Sequence, residues 1–237
     1  LGAAGTAAGR SARPGRRVKA MILAAGLGTR MGDLTRELPK PLLEVKGKPL
    51  IVHLVESLAA AGFTDLVVNL AYLGERIEAA LGNGSRHAAR ITYSREPDGP
   101  LGTGGGVKRA LPLLGAAPFL LVNADVRCDY PFAHLRRPLP GLAHLVLVDN
   151  PAHNPAGDFA LRADGRLANQ GEPMLTFAGV SAIDPRLLEG ADQGAFSLTP
   201  LLRAAADAGQ LHGEHYAGTW LDVGTPARLA QAQATEP

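Results

Sequence analysis

The chain has 237 residues, 46% hydrophobic and 19% charged, a globular mixture able to bury a core in one large or two small domains. Its formal charge of +2 is made at one end: residues 1–17 hold Arg10, Arg13, Arg16 and Arg17 and no acid, so removing those four charges takes the balance from +2 to −2. Charge therefore gives no case for nucleic acid as a partner, and no apolar run approaches the ~20 residues that cross a membrane.

Residues 1–17 are rich in Gly, Ala and Arg and lack the apolar stretch of a secretory signal. They read as a disordered tail before a single domain spanning 18–237. Cys128 is the only cysteine, which excludes an intrachain disulfide and fits a reducing cytoplasm.

From Lys19 onward strand and helix patterns alternate. The apolar run Met21 to Ala25, closed by Gly26, predicts a strand buried on both faces. Residues 27–47 read as a long loop containing Pro39 and Pro41. Ile51, Leu54, Val55 and Leu58 fall at helical spacing, and Gly62 ends that helix. Leu66 to Val68 is a second strand, Gly74 to Leu81 a short helix, and Ile91 to Tyr93 a third strand. A Gly-rich turn at 102–106 opens a helix running to Leu114, and Phe119 to Val122 is a fourth strand. Further on come a strand at Leu145–Val148, a hairpin over 158–168 around Asp164 and Gly165, and a strand from Phe177 to Ile183. A helix capped by Thr199 begins at Pro200, and a last strand runs from Tyr216 to Val223. The final helix starts at Pro226 with Thr225 as its cap. The alternation predicts an α/β fold: a Rossmann-like, mostly parallel sheet with helices on both faces. Ligands in such sheets sit at the carboxyl ends of the strands.

The polar and small residues at those ends carry the candidate chemistry. Leu23-Ala24-Ala25-Gly26-Leu27-Gly28-Thr29-Arg30-Met31 combines small residues, which let backbone amides approach an anion, with a cation suited to a polyphosphate. A dinucleotide fingerprint would need a third glycine where Met31 stands, and the closing Gly-Lys-Ser/Thr of a P-loop is absent. Lys40, between Pro39 and Pro41, is presented on a stiff extended segment. Gly102-Thr103-Gly104-Gly105-Gly106 leaves backbone groups open to a nucleobase edge, and Glu96 could accept a base N–H. Asp125, past the fourth strand, and Asp222, near the end of the last, are two strand-end carboxylates of the kind that hold a hard cation. Each feature taken alone also has an ordinary structural reading: a glycine turn, a solvated loop lysine, a turn aspartate or a buried hydrogen bond. The seven His show no close metal spacing, and Cys128 has no neighbouring base in sequence.

The order of these motifs, from the first glycine turn through Pro39-Lys40-Pro41 and the second Gly-rich stretch to Asp125 and Asp222, resembles the sugar nucleotidyltransferase (NDP-sugar pyrophosphorylase) family. The resemblance spans residues 19–233. It implies a cytoplasmic Mg²⁺-dependent enzyme that takes a nucleoside triphosphate and a sugar 1-phosphate, with neither nucleic acid nor membrane as partner. Gly26, Gly28, Thr29 and Arg30 would hold the triphosphate, with Arg30 on the departing pyrophosphate, and Lys40 would neutralise the reacting phosphates. Backbone groups of Leu23 and Ala24, with Glu96 and Gly105, would face the base. Asn123, Gly157 and Glu172 would face the sugar phosphate, and Asp125 and Asp222 would hold Mg²⁺. Within the family the chain is most similar to short members that join UTP to N-acetylmuramate 1-phosphate in cell-wall recycling. Three departures stand out: Ala124 where the family often has Gly, Gly102 in a form more like mannose 1-phosphate enzymes using GTP, and Glu172-Pro173 without the lysine that larger relatives place between such residues. A non-catalytic nucleotide-sensing domain is the reading from another class, and the retained Arg30, Lys40, Asp125 and Asp222 speak against it.

Overall fold

The computed structural model describes residues 18–234, so the tail expected over 1–17 lies outside the described residues. In chain order, β1 (Ala20–Leu23) leads through two 3₁₀ turns, Thr29–Thr35 and Lys40–Leu42, into the small hairpin β2 (Glu44–Val45) and β3 (Lys48–Pro49). Then follow α1 (Leu50–Ala60), β4 (Asp65–Leu70), α2 (Gly74–Leu81), β5 (Arg90–Arg95), α3 (Gly102–Leu114) and β6 (Phe119–Asn123). The second half runs β7 (Val126–Cys128), β8 (Ala143–Val148), β9 (Phe159–Leu161), β10 (Leu167–Ala168), β11 (Met174–Ile183), α4 (Thr199–Asp207), β12 (Leu211–His215), β13 (Trp220–Asp222) and α5 (Pro226–Ala234).

The centre of the nine-stranded sheet is parallel, in the order β5-β4-β1-β6, with Leu23 in register with Asn69 on one side and Asn123 on the other. Beyond β6 the sheet turns antiparallel. The long strand β11 pairs with β6 and β8, and at its other end with β9, which carries β10. β12 closes that side parallel to β8. The fold is thus α/β with a parallel centre, and the antiparallel share comes from hairpin-like returns in the second half.

Strand alternation divides the core into two layers. Ala20, Ile22, Leu66, Val68, Leu120 and Val122 pack with the apolar stripes of α1 and α2 on one face. Met21, Val67, Phe119 and Leu121 pack with α3 and α4 on the other. A third, smaller cluster of Met31, Leu43, Val45, Leu50, Val223 and Ala232 pins the segment after β1 to β13 and α5.

Four local expectations are corrected. Residues 27–47 are not one loop, because two backbone bonds, Leu42 N–H to Pro39 O (2.8 Å) and Leu43 N–H to Lys40 O (3.0 Å), coil the segment at Lys40 into a 3₁₀ turn. Lys40 therefore starts a helical turn, with Pro41 where a missing N–H costs nothing. The last strand is two strands. β12 leaves β8 after the Tyr216 N–H to Leu147 O bond (2.7 Å), and the chain crosses over so that β13 pairs antiparallel with β7, a strand that periodicity did not reveal. Thr199 lies inside α4 rather than capping it, and the first bond at that end is from Thr199 N–H to Ser197 Oγ (3.2 Å). The glycines at 104–106 lie inside α3, for reasons that packing supplies below.

His144 of β8, with Tyr130 and Arg137, surrounds the carboxyl of Glu214 on β12 and holds it down at about 2. Its charge stabilises the fold above the ordinary carboxyl value of 4.5. That contribution is lost as pH falls toward about 2. Glu214→Gln should flatten the acid limb of the stability profile between those two values, read as the urea midpoint against pH. An acid limb identical to that of the parent chain would show that Glu214 does not set it.

Candidate active site

The carboxyl ends of β1, β4 and β6 open into a cleft of about 420 Å³. Its wall contains Leu23, Ala24, Gly26, Gly28, Thr29 and Arg30 from the turn after β1, Lys40 from the 3₁₀ turn, and Asn123 and Asp125 from the end of β6. Leu23 and Asp125, about a hundred positions apart, meet there because the parallel strands end level.

Gly28 has φ +66°, and a Cβ there would lie 3.1 Å from both Lys40 Cβ and Thr35 Cγ2. Only glycine fits, so this position is fixed by the turn itself. Thr35 Oγ1 donates to Gly28 O (3.0 Å) and ties the turn shut. Gly26 is different. A Cβ at Gly26 would meet nothing within 4 Å, although the residue lines the cleft. The protein has no packing need for glycine at this point, whereas a ligand lying on the backbone would. Gly26→Ala should leave the melting temperature unchanged and lower kcat/KM about tenfold or more, since small misplacements of reacting groups are costly. Parent-like kinetics would remove Gly26 from the binding surface.

Arg30 is exposed, and its guanidinium makes no hydrogen bond or ion pair among the described residues, which leaves its donors for a ligand. Lys40 Nζ instead donates to Asp125 Oδ2, with side-chain exposures of 12% and 23%. The Ala124 N–H bonds to Leu23 O (3.0 Å), fixing Asp125 beside the first turn. The Val223 N–H bonds to Asp125 O (2.8 Å) and brings β13 alongside. Asp222, at the end of β13, is thereby close to Asp125 through the backbone, and Gly224 reaches the cleft wall. The Asp222 carboxylate accepts from Arg228 and lies 3.3 Å from His153 Nε2.

Five expected site residues stand outside this wall: Asp222, which reaches it only through its neighbour Gly224, and Glu96, Gly105, Gly157 and Glu172. Glu96 is buried, and both of its carboxylate oxygens accept from the chain itself: Oε1 from Asn69 Nδ2 (2.7 Å) and Oε2 from the Leu101 N–H (2.7 Å). Asn69 Oδ1 in turn accepts from the Ala24 N–H (2.8 Å), so Glu96 bears on the cleft through Asn69. Gly105 is inside α3. A Cβ there would lie 2.1 Å from Gly194 O, one at Gly104 would strike the Phe196 ring, and one at Gly106 would strike Asn69 Nδ2 at 2.7 Å. These glycines let α3 seat against the 194–198 segment and the Asn69–Glu96 pair. Gly157, with φ +67°, packs against Asn150 and Leu175, and Glu172 is exposed ahead of the cis bond to Pro173.

Asn69 and Gly224, which also face the cleft, were missed by sequence reasoning, whereas Gly102 and Thr103 of the glycine-rich stretch do reach it. An amide in the apolar run of β4, at its carboxyl end, was the available signal for Asn69.

A glycine turn on the first of several parallel strands, with an unpaired arginine and a Lys–Asp pair beside it, defines an α/β protein with a cleft suited to a polyphosphate. The chain belongs to the nucleotidyl transferase family, whose model matches residues 19–143. It is similar to the N-acetylmuramate alpha-1-phosphate uridylyltransferase of Neisseria meningitidis, with 48% identity over 92% of this chain and 97% of the relative. It is also similar to the mannose-1-phosphate guanyltransferase of Aspergillus fumigatus, with 36% identity over 88% of this chain but 61% of that longer protein. Among solved structures, HddC from Yersinia pseudotuberculosis complexed with GMP-PN shares the fold, with a TM-score of 0.74, 20% identity, and 91% and 98% of the two chains covered. Among the described residues no helix is long and apolar enough to cross a membrane.

Proposed function

We propose that this chain transfers a uridylyl group from UTP to N-acetylmuramate 1-phosphate, releasing pyrophosphate and forming UDP-N-acetylmuramate, in the cytoplasm, where nucleoside triphosphates are supplied. The observation that carries the reaction class is the meeting of the glycine turn, Arg30, Lys40 and Asp125 in one cleft. The substrate pair is supported by the near full-length similarity to the Neisseria enzyme.

The sugar phosphate oxygen is ionised at neutral pH, so no residue needs to take a proton from it. It attacks the α-phosphorus in line, and pyrophosphate departs from the opposite side. The amides of Gly28 and Thr29 and the free guanidinium of Arg30 hold the β- and γ-phosphates, and Arg30 offsets the charge of the leaving group. Lys40 exchanges Asp125 for the oxygens of the α-phosphate. Leu23 and Ala24 present backbone to the base, with Ala24 held by Asn69 and Glu96. Asn123 faces the incoming sugar phosphate. Gly157 and Glu172 lie on the segments that would surround the sugar.

Asp125 and Asp222 would hold Mg²⁺. A carboxylate in the turn before β7 and one at the end of β13, its pairing partner, would suit that ion together with phosphate oxygens and water. Among the described residues no group of three or more His, Cys, Asp or Glu is gathered as an all-protein metal cage. When bound, the metal supplies positive charge to the reacting phosphates.

A second reading, GTP with mannose 1-phosphate, is favoured by Gly102 and by the fungal relative. The test is pyrophosphate release in Mg²⁺ with UTP, GTP and dTTP crossed against N-acetylmuramate, glucose and mannose 1-phosphates. Release is expected with UTP and N-acetylmuramate 1-phosphate. Release only with GTP and mannose 1-phosphate would replace the substrates, and release with none would remove the catalytic reading.

A further inference from the structure

Each of the two carboxylates assigned to the metal is already paired with a cation of the chain. Asp125 is paired with Lys40, at side-chain exposures of 23% and 12%. Asp222 is paired with Arg228, at 20% and 12%. These are enclosed pairs rather than surface contacts, so their mutual attraction is poorly screened. Arg228 is well anchored. It lies in the first turn of α5, its N–H meets Thr225 Oγ1 at 3.3 Å, and its guanidinium lies so close over Gly224 that a Cβ there would sit 2.2 Å from Nη2. Arg228 Nη1 also lies 2.8 Å from His153 Nε2, which is in turn 3.3 Å from the Asp222 carboxylate.

Resting on the metal reading above, we propose that Arg228 is the resident counter-ion of Asp222 and that it keeps divalent cations off that carboxylate until a triphosphate enters the cleft. The four charges of the two pairs sum to zero. A divalent ion arriving alone would have to displace two fixed cations and gains little. A triphosphate brings several negative charges, engages Arg30 and draws Lys40 from Asp125, and its added charge lets a divalent ion on Asp125 compete with Arg228 for Asp222. Metal and nucleotide would then strengthen each other's binding by the same factor. This account differs from a merely structural role, in which Arg228 orients Asp222 and its loss weakens metal binding.

The test is Mn²⁺ binding to the whole chain, measured by the electron paramagnetic resonance signal of free Mn²⁺, with and without the α,β-imido analogue of UTP. The parent chain is expected to bind Mn²⁺ weakly alone and more tightly with the analogue. Arg228→Gln should bind Mn²⁺ alone about fivefold or more tightly than the parent, with the enhancement by the analogue reduced to match. Arg228→Lys, which keeps the charge, should behave as the parent and guards against a folding artefact. Unchanged or weaker Mn²⁺ binding by folded Arg228→Gln would overturn the proposal. Asp222→Asn separates the two failures: if it binds Mn²⁺ with the analogue as tightly as the parent does, Asp222 is no ligand and the metal reading itself falls.

Discussion

Asp125→Asn is expected to lower turnover by on the order of 10²-fold or more, as the loss of an electrostatic group at a reacting centre typically does. The substitution is nearly isosteric, and the backbone bonds that fix residue 125, from Val223 N–H and through Ala124 to Leu23, do not involve the side chain. The fold should therefore survive, and the melting temperature should change little. What goes is the charge that pairs with Lys40 and that would hold the metal. Steady-state pyrophosphate release, with the melt as control, decides the matter. Near-normal turnover in a folded variant would remove Asp125 from the metal site.

Gly105→Ala is expected to act through the fold. The new methyl would lie 2.1 Å from a backbone carbonyl, Gly194 O, and 2.9 Å from Leu101 Cβ. Neither neighbour is the free end of a flexible side chain, so helix α3 must move away from the 194–198 segment. Overpacking of this kind costs about 1–3 kcal/mol, measurable as a lower urea midpoint. If Gly105 instead served the nucleobase, stability would hold while KM for the nucleotide rose. That pattern of results would reverse the packing explanation.

The contrast between these two positions explains which parts of the molecule the sequence disclosed. The parallel strands were legible because each is a short apolar run closed by a polar or glycine residue, and the strand-end rule then pointed to Gly26, Arg30 and Asp125. The hairpin around Asp164 and Gly165 was legible from turn chemistry, and Arg162 and Arg166 close it. The glycines at 104–106 were misread as a turn because glycine disfavours helix on its own. The contacts that require glycine there come from Gly194 and Phe196, some ninety positions later, and from Asn69 and Glu96 earlier in the chain, which no local pattern encodes. The division of the last strand was hidden for a similar reason. It depends on β7, whose three residues form a strand only because β13 returns to pair with them. Glu96 was recognised as important from its position, yet its partner Asn69 was not, so the link from Glu96 through Asn69 to Ala24 emerged only in three dimensions. Arg228 carries no signal at all in sequence, and its pairing with Asp222 follows from the turn into α5.

The most direct test of the reaction uses N-acetylmuramate 1-phosphate carrying ¹⁸O in its phosphate, incubated with the chain, Mg²⁺ and UTP, with products read by mass spectrometry. Attack by the sugar phosphate on the α-phosphorus should leave all of the label in UDP-N-acetylmuramate, with none in the pyrophosphate. Label in pyrophosphate, or UTP consumed without formation of the nucleotide sugar, would contradict nucleotidyl transfer to the sugar phosphate by this cleft.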